Sequence, residues 1–221
     1  TNLTPFKTWL VTQINSWGIN NFPFLEGDFD KLTNYGMLMK MMKCLNDIIA
    51  NENLVEEDMS NLFNGCTYLE SIDLSGLDTS NVTIMANVFS GCASLKSINL
   101  SGLKLSANVK TLANMFKGLT SLETVNLSGL VAENVENMQN MFEGCTSLKE
   151  VTLLTPHTDI PSDTFYNCEE LTTINNESDV KGVGHSAFFN CKKFSEFDFS
   201  TLTDYIGRDA FFNSGVKNVV L

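Results

Sequence analysis

The sequence contains no run of apolar residues long enough to cross a membrane. A transmembrane helix needs about 20 consecutive apolar residues, and no stretch of the 221 residues reaches that length. Residues 1–5 also lack the basic segment followed by an apolar segment that marks a signal peptide. Two explanations remain open: a signal peptide has been removed, or Thr1 follows a removed initiator Met in a protein made without one. We expect no membrane insertion in either case.

Positive charge is also scarce. Lys and Arg number 14 against 26 Asp and Glu, which gives a formal net charge of -12. An acidic surface repels phosphate backbones, so nucleic acid is not an expected partner. Acidity of this kind is more often a solubility feature than a binding feature.

Groups that carry catalysis or bind metals are few and scattered. The two histidines, His157 and His185, have no nucleophile or metal ligand beside them in the repeat pattern. The six cysteines include no Cys-x-x-Cys pair, and the glycines are spaced along the chain instead of forming a phosphate-binding loop. We therefore predict no enzymatic activity, no cofactor and no metal site.

The chain does contain a repeated signature, Phe-x-Gly-Cys followed three residues later by Leu. Four copies, the third with Leu for Cys, occupy residues 63–69, 89–95, 116–122 and 142–148, and three looser copies occupy 165–168, 188–191 and 211–214. The leading phenylalanines therefore recur at a nearly constant interval, which becomes slightly shorter after Phe142. A regular period in this range indicates a solenoid in which each copy is one coil.

The residues around the signature predict the secondary structure of each coil. A helical stretch is expected before the Phe, as at 81–85, and it ends at a residue that tolerates the left-handed conformation. That residue is Gly65, Gly91, Gly118, Gly144, Asn167, Asn190 or Asn213. The alternation that follows, as in Leu69, Ile72 and Leu74, predicts a short strand.

These patterns together predict an α/β repeat solenoid of seven coils with one parallel sheet, preceded by a helical N-terminal segment. The expected domains are residues 1–53, a helical cap or attachment segment, and 54–221, the repeat solenoid. The coils have 26 residues to about residue 154 and 23 residues after it. In the shorter coils the helix is expected to shrink to a single turn.

Polar residues alternate with the inward-facing residues of the predicted strands, and they form the candidate binding face. Its members are Ser71, Asp73, Ser97, Asn99, Thr124, Asn126, Glu150, Thr152, Thr173, Asn175, Glu196 and Asp198. Two interpretations remain open: an ordinary solvated sheet face, or a strip that binds a ligand.

Five cysteines share one repeat position, which Leu119 occupies in the third coil. They are Cys66, Cys92, Cys145, Cys168 and Cys191. Exchange with Leu indicates a buried apolar site, where Cys behaves as a small hydrophobic residue. We therefore predict free structural thiols at this position.

Residues 1–27 are expected to form a small helical lead, and a second N-terminal helix is expected from about residue 30 to 50. Its apolar residues are spaced three, four, three and four: Tyr35, Leu38, Met42, Leu45 and Ile49. This a/d seam favours either an amphipathic cap on the first coil or a short coiled coil that joins copies of the chain.

The repeats resemble bacterial BspA-like leucine-rich repeats. Residues 138–148 look like the Met-Phe-x-Gly-Cys-x-Ser-Leu repeat of mycoplasma-type surface lipoproteins, and 187–191 look like the Ala-Phe-x-x-Cys of the Treponema-type repeat. The resemblance covers roughly residues 55–221. It implies a surface-displayed adhesion or interaction module without enzymatic activity, and it assigns no ligand-binding residue.

The leading segment is similar to a different group of proteins. Residues 21–35 and 45–53 resemble the N-terminal segment of virion proteins from phages of Gram-positive gut bacteria. In those proteins the segment precedes varied distal domains, and this position implies a role in attachment. The Met-rich stretch at 37–42 departs from that pattern.

The two resemblances imply a non-enzymatic, surface-displayed interaction protein. The expected setting is a phage virion, as a fibre, decoration or host-binding protein; the alternative is a secreted or anchored bacterial adhesin. The expected partners are a protein or cell-surface glycan on the candidate binding face, and virion proteins or copies of the chain through residues 1–50.

Overall fold

The computed structural model describes most of the repeat region. The described residues are 58–67, 69–74, 79, 81–100, 103, 105, 107–130, 133–154, 159–176 and 180–217. The predicted helices of residues 1–53, with their seam, lie outside this part of the chain, as does His157.

Eight short strands run through the described residues, and they fall along two lines of the solenoid. The first line follows the signature: β1 (Ser71–Asp73), β2 (Ser97–Asn99), β3 (Thr124–Asn126), β4 (Glu150–Thr152) and β6 (Thr173–Asn175). The second line precedes it: β5 (Asp159–Ile160), β7 (Gly182–Val183) and β8 (Tyr205–Ile206). Every pairing is parallel, and it joins equivalent residues of neighbouring coils.

The second line continues through the longer coils as single parallel bridges. They link Asp58, Ile84, Thr111 and Asn137, each five residues before its leading Phe. Ile160 of β5 has the same offset from Phe165. The line therefore runs along the whole described solenoid, with regular pairing in the three shorter coils.

The predicted sheet of seven strands is wrong, because the described strands form three sheets. The first line divides into β1-β2 and β3-β4-β6, and the second gives β5-β7-β8. The division lies in the one coil that is longer than its neighbours: Thr120 stands 27 residues after its equivalent, Ala93. The fold is a parallel-sheet solenoid whose first line has five turns.

The sixth coil lacks a strand in the first line. The chain there enters a 3-10 helix, Phe199–Thr201. The Asp198 carboxylate starts this helix by accepting a hydrogen bond from the Ser200 N–H at 2.9 Å.

The predicted helix before each signature is also wrong, since the described residues contain no α-helix. Tight turns take its place. Each turn carries two left-handed residues, four positions apart, and these interrupt a right-handed helix. In the first coil these are Asn61, with φ 60°, and Gly65, with φ 71°. The sequence identified the second of these positions correctly and missed the first, which in later coils is Asn87, Asn114, Asn140, Asp163, Ser186 and Asp209.

The left-handed residues direct alternate N–H groups toward the next coil. The N–H groups of Asn61, Phe63 and Gly65 donate to carbonyl oxygens of the second coil at 3.0, 2.8 and 2.8 Å. The N–H groups between them bond locally, as Asn64 does to the Asn61 carbonyl at 3.0 Å. All six junctions between described coils repeat the three bonds, so each turn hydrogen-bonds to its neighbour like a strand in a sheet.

Phenylalanine fills the centre of the solenoid. The rings of Phe63, Phe89, Phe116, Phe142, Phe165, Phe188 and Phe211 form one column in which neighbouring centroids lie 5.0–6.0 Å apart. Six of the seven are buried, and Phe211 in the last coil is half-buried. Most of the predicted inward-facing residues, such as Leu69, Ile72 and Leu74, are also buried. Ile98, Phe197 and Phe199 are half-buried.

The left-handed backbone predicts how the Gly118 position responds to substitution. Gly118 has φ +73°, and its N–H donates to the Glu143 carbonyl at 2.8 Å. We expect Gly118→Val to lower the free energy of unfolding by roughly 1–3 kcal/mol, since a β-branched residue is strained in this conformation. Urea denaturation measures the change.

Gly118→Asn is the matched control, because Asn occupies this position with φ 61° at Asn167. It is expected to lose much less stability than Gly118→Val. Equal losses in the two variants would contradict the assigned backbone conformation.

Candidate recognition face

The outward residues of the first strand line form one continuous surface, which we call the sheet face. Each strand turns its middle residue inward and its two outer residues toward solvent. The sheet face comprises Ser71, Asp73, Ser97, Asn99, Thr124, Asn126, Glu150, Thr152, Thr173 and Asn175. All ten are exposed or half-buried, and they lie on the surface where the sequence pattern predicted them.

Hydrogen bonds join the sheet-face side chains of adjacent coils. Asn99 donates through Nδ2 to Oδ1 of Asp73 at 2.9 Å. Asn175 donates through Nδ2 to Oε1 of Glu150 at 2.7 Å and to Oγ1 of Thr152 at 3.2 Å. Because these bonds run along the solenoid axis, they order the face without covering it.

Ion pairs flank the sheet face on one side. The residue before each of the strands β1 to β4 alternates in charge. Lys96 contacts Glu70 at 2.9 Å, and Lys149 contacts Glu123 at 2.8 Å. Such exposed pairs contribute about 0–1 kcal/mol each. The pairs hold the lysine charges at the residues that precede the strands.

The other two predicted members, Glu196 and Asp198, are exposed but lie beyond the strands. Asp198 caps the 3-10 helix, and hydrogen bonds from the Ser200 hydroxyl and N–H hold the pKa of its carboxyl below the usual range. The structure therefore gives Asp198 a local structural role at the end of the face.

The cysteine column is buried and free of disulfides at Cys92, Cys145, Cys168 and Cys191, and Cys66 is half-buried. Each of the four buried thiols donates to the carbonyl of a Phe in a neighbouring coil, as Cys145 does to Phe116 at 3.0 Å. Burial raises the pKa of Cys145 to about 12. The prediction of free structural thiols is confirmed for these residues.

The described residues show no group of three His, Cys, Asp or Glu side chains that could hold a metal ion. Nδ1 of His185 bonds to the Arg208 carbonyl. Ser186 Oγ lies 3.4 Å from both ring nitrogens of His185, and Ser186 is buried. A buried hydroxyl at that distance is poorly placed to act as a nucleophile.

Sequence reasoning missed an aromatic column on the turn surface of the last three coils. Tyr166 stacks on Phe189 with centroids 4.8 Å apart, and Phe189 stacks on Phe212 at 5.1 Å. The signal was present in the residue after each leading Phe, which is polar in the first four coils and aromatic in the last three.

The repeats of the chain match a known protein family. Residues 40–136 and 113–221 match the family described as the BspA type leucine-rich repeat region, in six copies. The chain belongs to the BspA-type leucine-rich repeat family. The resemblance of the repeats to this family is therefore confirmed, whereas no comparison supports the resemblance of residues 21–53 to phage virion proteins.

The chain is similar to several solved leucine-rich repeat proteins. One from Eubacterium ventriosum is 20% identical with a TM-score of 0.45, over 71% of this chain and 46% of that one. Another from Bacteroides ovatus is 20% identical with a TM-score of 0.43, over 71% and 50%. The leucine-rich repeat protein of T. pallidum is 18% identical with a TM-score of 0.41, over 66% and 74%.

The chain spans about half the length of the first two of these structures. No curated protein matches the sequence. Among the residues that the structure describes, no helix has the length and apolarity needed to span a membrane.

Burial of the thiols predicts a loss of stability at high pH. The ordinary pKa is 9.0 and that of folded Cys145 is about 12, so above pH 9 the folded chain keeps a proton that the unfolded chain releases. The contribution of the protonated thiol to the free energy of unfolding is fully present below pH 9 and is lost as the pH rises toward 12. Between pH 8 and pH 10, we expect each thiol with this pKa to lower the free energy of unfolding by about 1 kcal/mol.

Cys145→Leu provides the control, because Leu119 fills the same position in the third coil. Urea denaturation at both pH values should show a smaller loss for the variant than for the parent protein. Identical losses would mean that the Cys145 thiol ionises as readily in the folded protein as in the unfolded one.

Proposed function

We propose that this chain is a non-enzymatic, surface-displayed interaction or adhesion protein, and that the sheet face is its recognition surface. Membership of the BspA-type family supports the general role. The observation that carries the assignment of the surface is the regular exposure of small polar side chains along five strands.

The sheet face suits a partner that is recognised by hydrogen bonds. Serine, threonine and asparagine supply both donors and acceptors, and they are small enough to leave the backbone accessible. Two carboxylates, Asp73 and Glu150, add negative charge. Protein loops and neutral glycans fit these groups better than anionic polymers do.

The absence of enzymatic activity is part of the proposal. In the described coils, His185 is engaged by a backbone carbonyl and its serine neighbour is buried. The four buried thiols of the cysteine column donate to carbonyl groups inside the core. These are the side chains of this region that would otherwise be the first candidates for nucleophilic or acid–base chemistry.

Two settings for this role follow from the sequence. The resemblance of residues 21–53 supports a phage virion, in which the chain is a fibre, decoration or host-binding protein and residues 1–50 attach it to virion proteins or to other copies. Family membership supports the second setting, a secreted or anchored bacterial adhesin.

Genes beside the coding sequence separate the two settings. Neighbouring capsid and tail genes are the expected result for a virion protein, which leaves the host by lysis without a secretion signal. A signal peptide or cell-wall anchor encoded in the same reading frame would instead establish the adhesin and remove the virion from consideration.

Bulky charged substitutions on the sheet face should abolish recognition. Thr124 and Thr173 are exposed strand residues on that face. We expect the double variant Thr124→Arg, Thr173→Arg to bind at least tenfold more weakly to intact gut bacteria and to a glycan array. Steric blocking of the shallow surface is the physical reason.

Thr146→Arg serves as the matched control. Thr146 is also exposed, but it lies next to Cys145 at the end of a turn, away from the strands. Unchanged melting temperatures would show that both variants fold. Equal binding by the double variant and the control would move the recognition site from the sheet face to the turns.

A further inference from the structure

The junction between the second and third coils differs from every other junction of the described solenoid, where coils are numbered by their leading Phe from Phe63 to Phe211. The first strand line pairs coils one and two, three and four, and four and five. The second line pairs coils five and six, and six and seven. Between coils two and three the described residues form no strand pair, and the second line contributes a single bridge from Ile84 to Thr111.

Backbone groups on the strand side of this junction are left apart. Where the strands begin, the Lys149 N–H donates to the Glu123 carbonyl of the coil before it at 2.7 Å. The equivalent bond, from the Glu123 N–H to the Lys96 carbonyl, is not formed. Where the strands end, the Leu127 N–H donates to a carbonyl of the fourth coil at 2.8 Å. The equivalent N–H of Leu100 reaches no acceptor in the described part of the third coil.

Packing is looser at the same place. Ile98, the middle residue of β2, is half-buried, whereas its equivalents Ile72 and Val125 are 4% and 6% exposed. The ring centroids of Phe89 and Phe116 lie 6.0 Å apart. Every other neighbouring pair in this column is separated by 5.0–5.5 Å. The strand side and the core therefore open together.

A hydrogen bond through the core is also missing here. At the other four junctions among the first six coils, a buried thiol donates to the carbonyl of the leading Phe in the coil before it. The third coil carries Leu119 at this position, so the Phe89 carbonyl receives no thiol. The charged residues Lys96 and Glu123 occupy equivalent positions, yet each forms its ion pair with the coil on its far side.

The turn side of the junction is bonded as it is elsewhere. The N–H groups of Asn87, Phe89 and Gly91 donate to carbonyls of the third coil at 2.9, 3.0 and 2.8 Å. The corresponding distances at the next junction are 3.0, 3.0 and 2.8 Å. The two coils are thus joined along the turns and open along the strands, which is the arrangement of a hinge.

From these observations we infer that the solenoid bends at the junction of coils two and three. Coils one and two form one block, coils three to seven form another, and the turn hydrogen bonds are the axis. In stacked repeats, stability is approximately a sum of terms within coils and between neighbours, so the junction with the fewest bonds opens first. Bending changes the angle between the sheets β1-β2 and β3-β4-β6, and with it the curvature of the sheet face. This motion does not depend on what the sheet face binds.

Relaxation-dispersion NMR of the isotope-labelled full chain tests the hinge, because it detects motion on the microsecond to millisecond timescale. We expect exchange at the amides of Leu100 and Glu123, which flank the open strand side. Their equivalents Leu153 and Thr172 are paired at the junction of coils four and five and should show none. The turn amide of Phe89 should also show none, since it lies on the axis.

The variant Leu119→Cys should close the hinge by supplying the missing thiol donor to the Phe89 carbonyl. Leu119→Val is the matched control, because it also shortens the side chain and brings no donor. We expect the open population to be about threefold smaller in Leu119→Cys than in Leu119→Val, as one net hydrogen bond accounts for. Melting temperatures of both variants establish that exchange is compared in folded protein.

A second pair of variants should act in the opposite direction. Thr120 donates through Oγ1 to the Ala93 carbonyl at 3.2 Å, across the junction. Thr120→Ala removes this bond and should raise the open population by about threefold. Thr146 occupies the equivalent position in the fourth coil, where the described structure gives its hydroxyl no bond to a neighbouring coil. Thr146→Ala should therefore leave the exchange unchanged.

Four results would overturn the inference. An absence of exchange at Leu100 and Glu123 would show that the gap is rigid. Exchange of equal size at Leu153 and Thr172 would indicate loosening of the whole solenoid, and exchange at the Phe89 amide would indicate local unfolding in place of bending. Equal open populations in Leu119→Cys and Leu119→Val would show that the missing thiol does not control the motion.

Discussion

The structure depends on a set of backbone hydrogen bonds that regular strands do not provide. At each junction, three turn N–H groups donate to the carbonyls of the next coil. This arrangement requires two left-handed residues per turn, because they rotate successive peptide units until alternate N–H groups lie along the solenoid axis. Glycine, asparagine, aspartate and serine supply that conformation here.

The buried columns follow from this hydrogen bonding. Once each turn is fixed over the one before it, equivalent side chains must stack at the coil spacing. Phenylalanine rings then overlap with centroids 5.0–6.0 Å apart, and a thiol reaches the carbonyl of a neighbouring Phe. The thiol hydrogen of the cysteine is thereby hydrogen-bonded without a disulfide or a metal ion.

The same bonding gives the solenoid a direction and one polar side. Turn carbonyls point toward the N-terminal end and turn N–H groups toward the C-terminal end. Along the side, the strands expose a polar face whose hydrogen bonds run between coils. The proposed recognition role belongs to that face.

The sequence by itself determined the repeat, its period, the inward-facing residues and the outward sheet-face positions. It did so because a buried column tolerates few residue types and a strand alternates sides with every residue. It also placed a left-handed residue at Gly118 and at its equivalents. The polar residue four positions earlier, such as Asn114, was not recognised as left-handed, since Asn has many other uses.

The tertiary structure decided what the turns are. Met85 and Phe89 have the spacing of a helix face, and local pattern alone does not separate a helix from two successive turns around a left-handed residue. The distinction lies in the acceptors of the N–H groups, which here belong to the neighbouring coil, as when Phe89 donates to the Met115 carbonyl. Hydrogen bonds between residues so distant in sequence leave no local period, and for that reason the three sheets emerged from the folded chain alone.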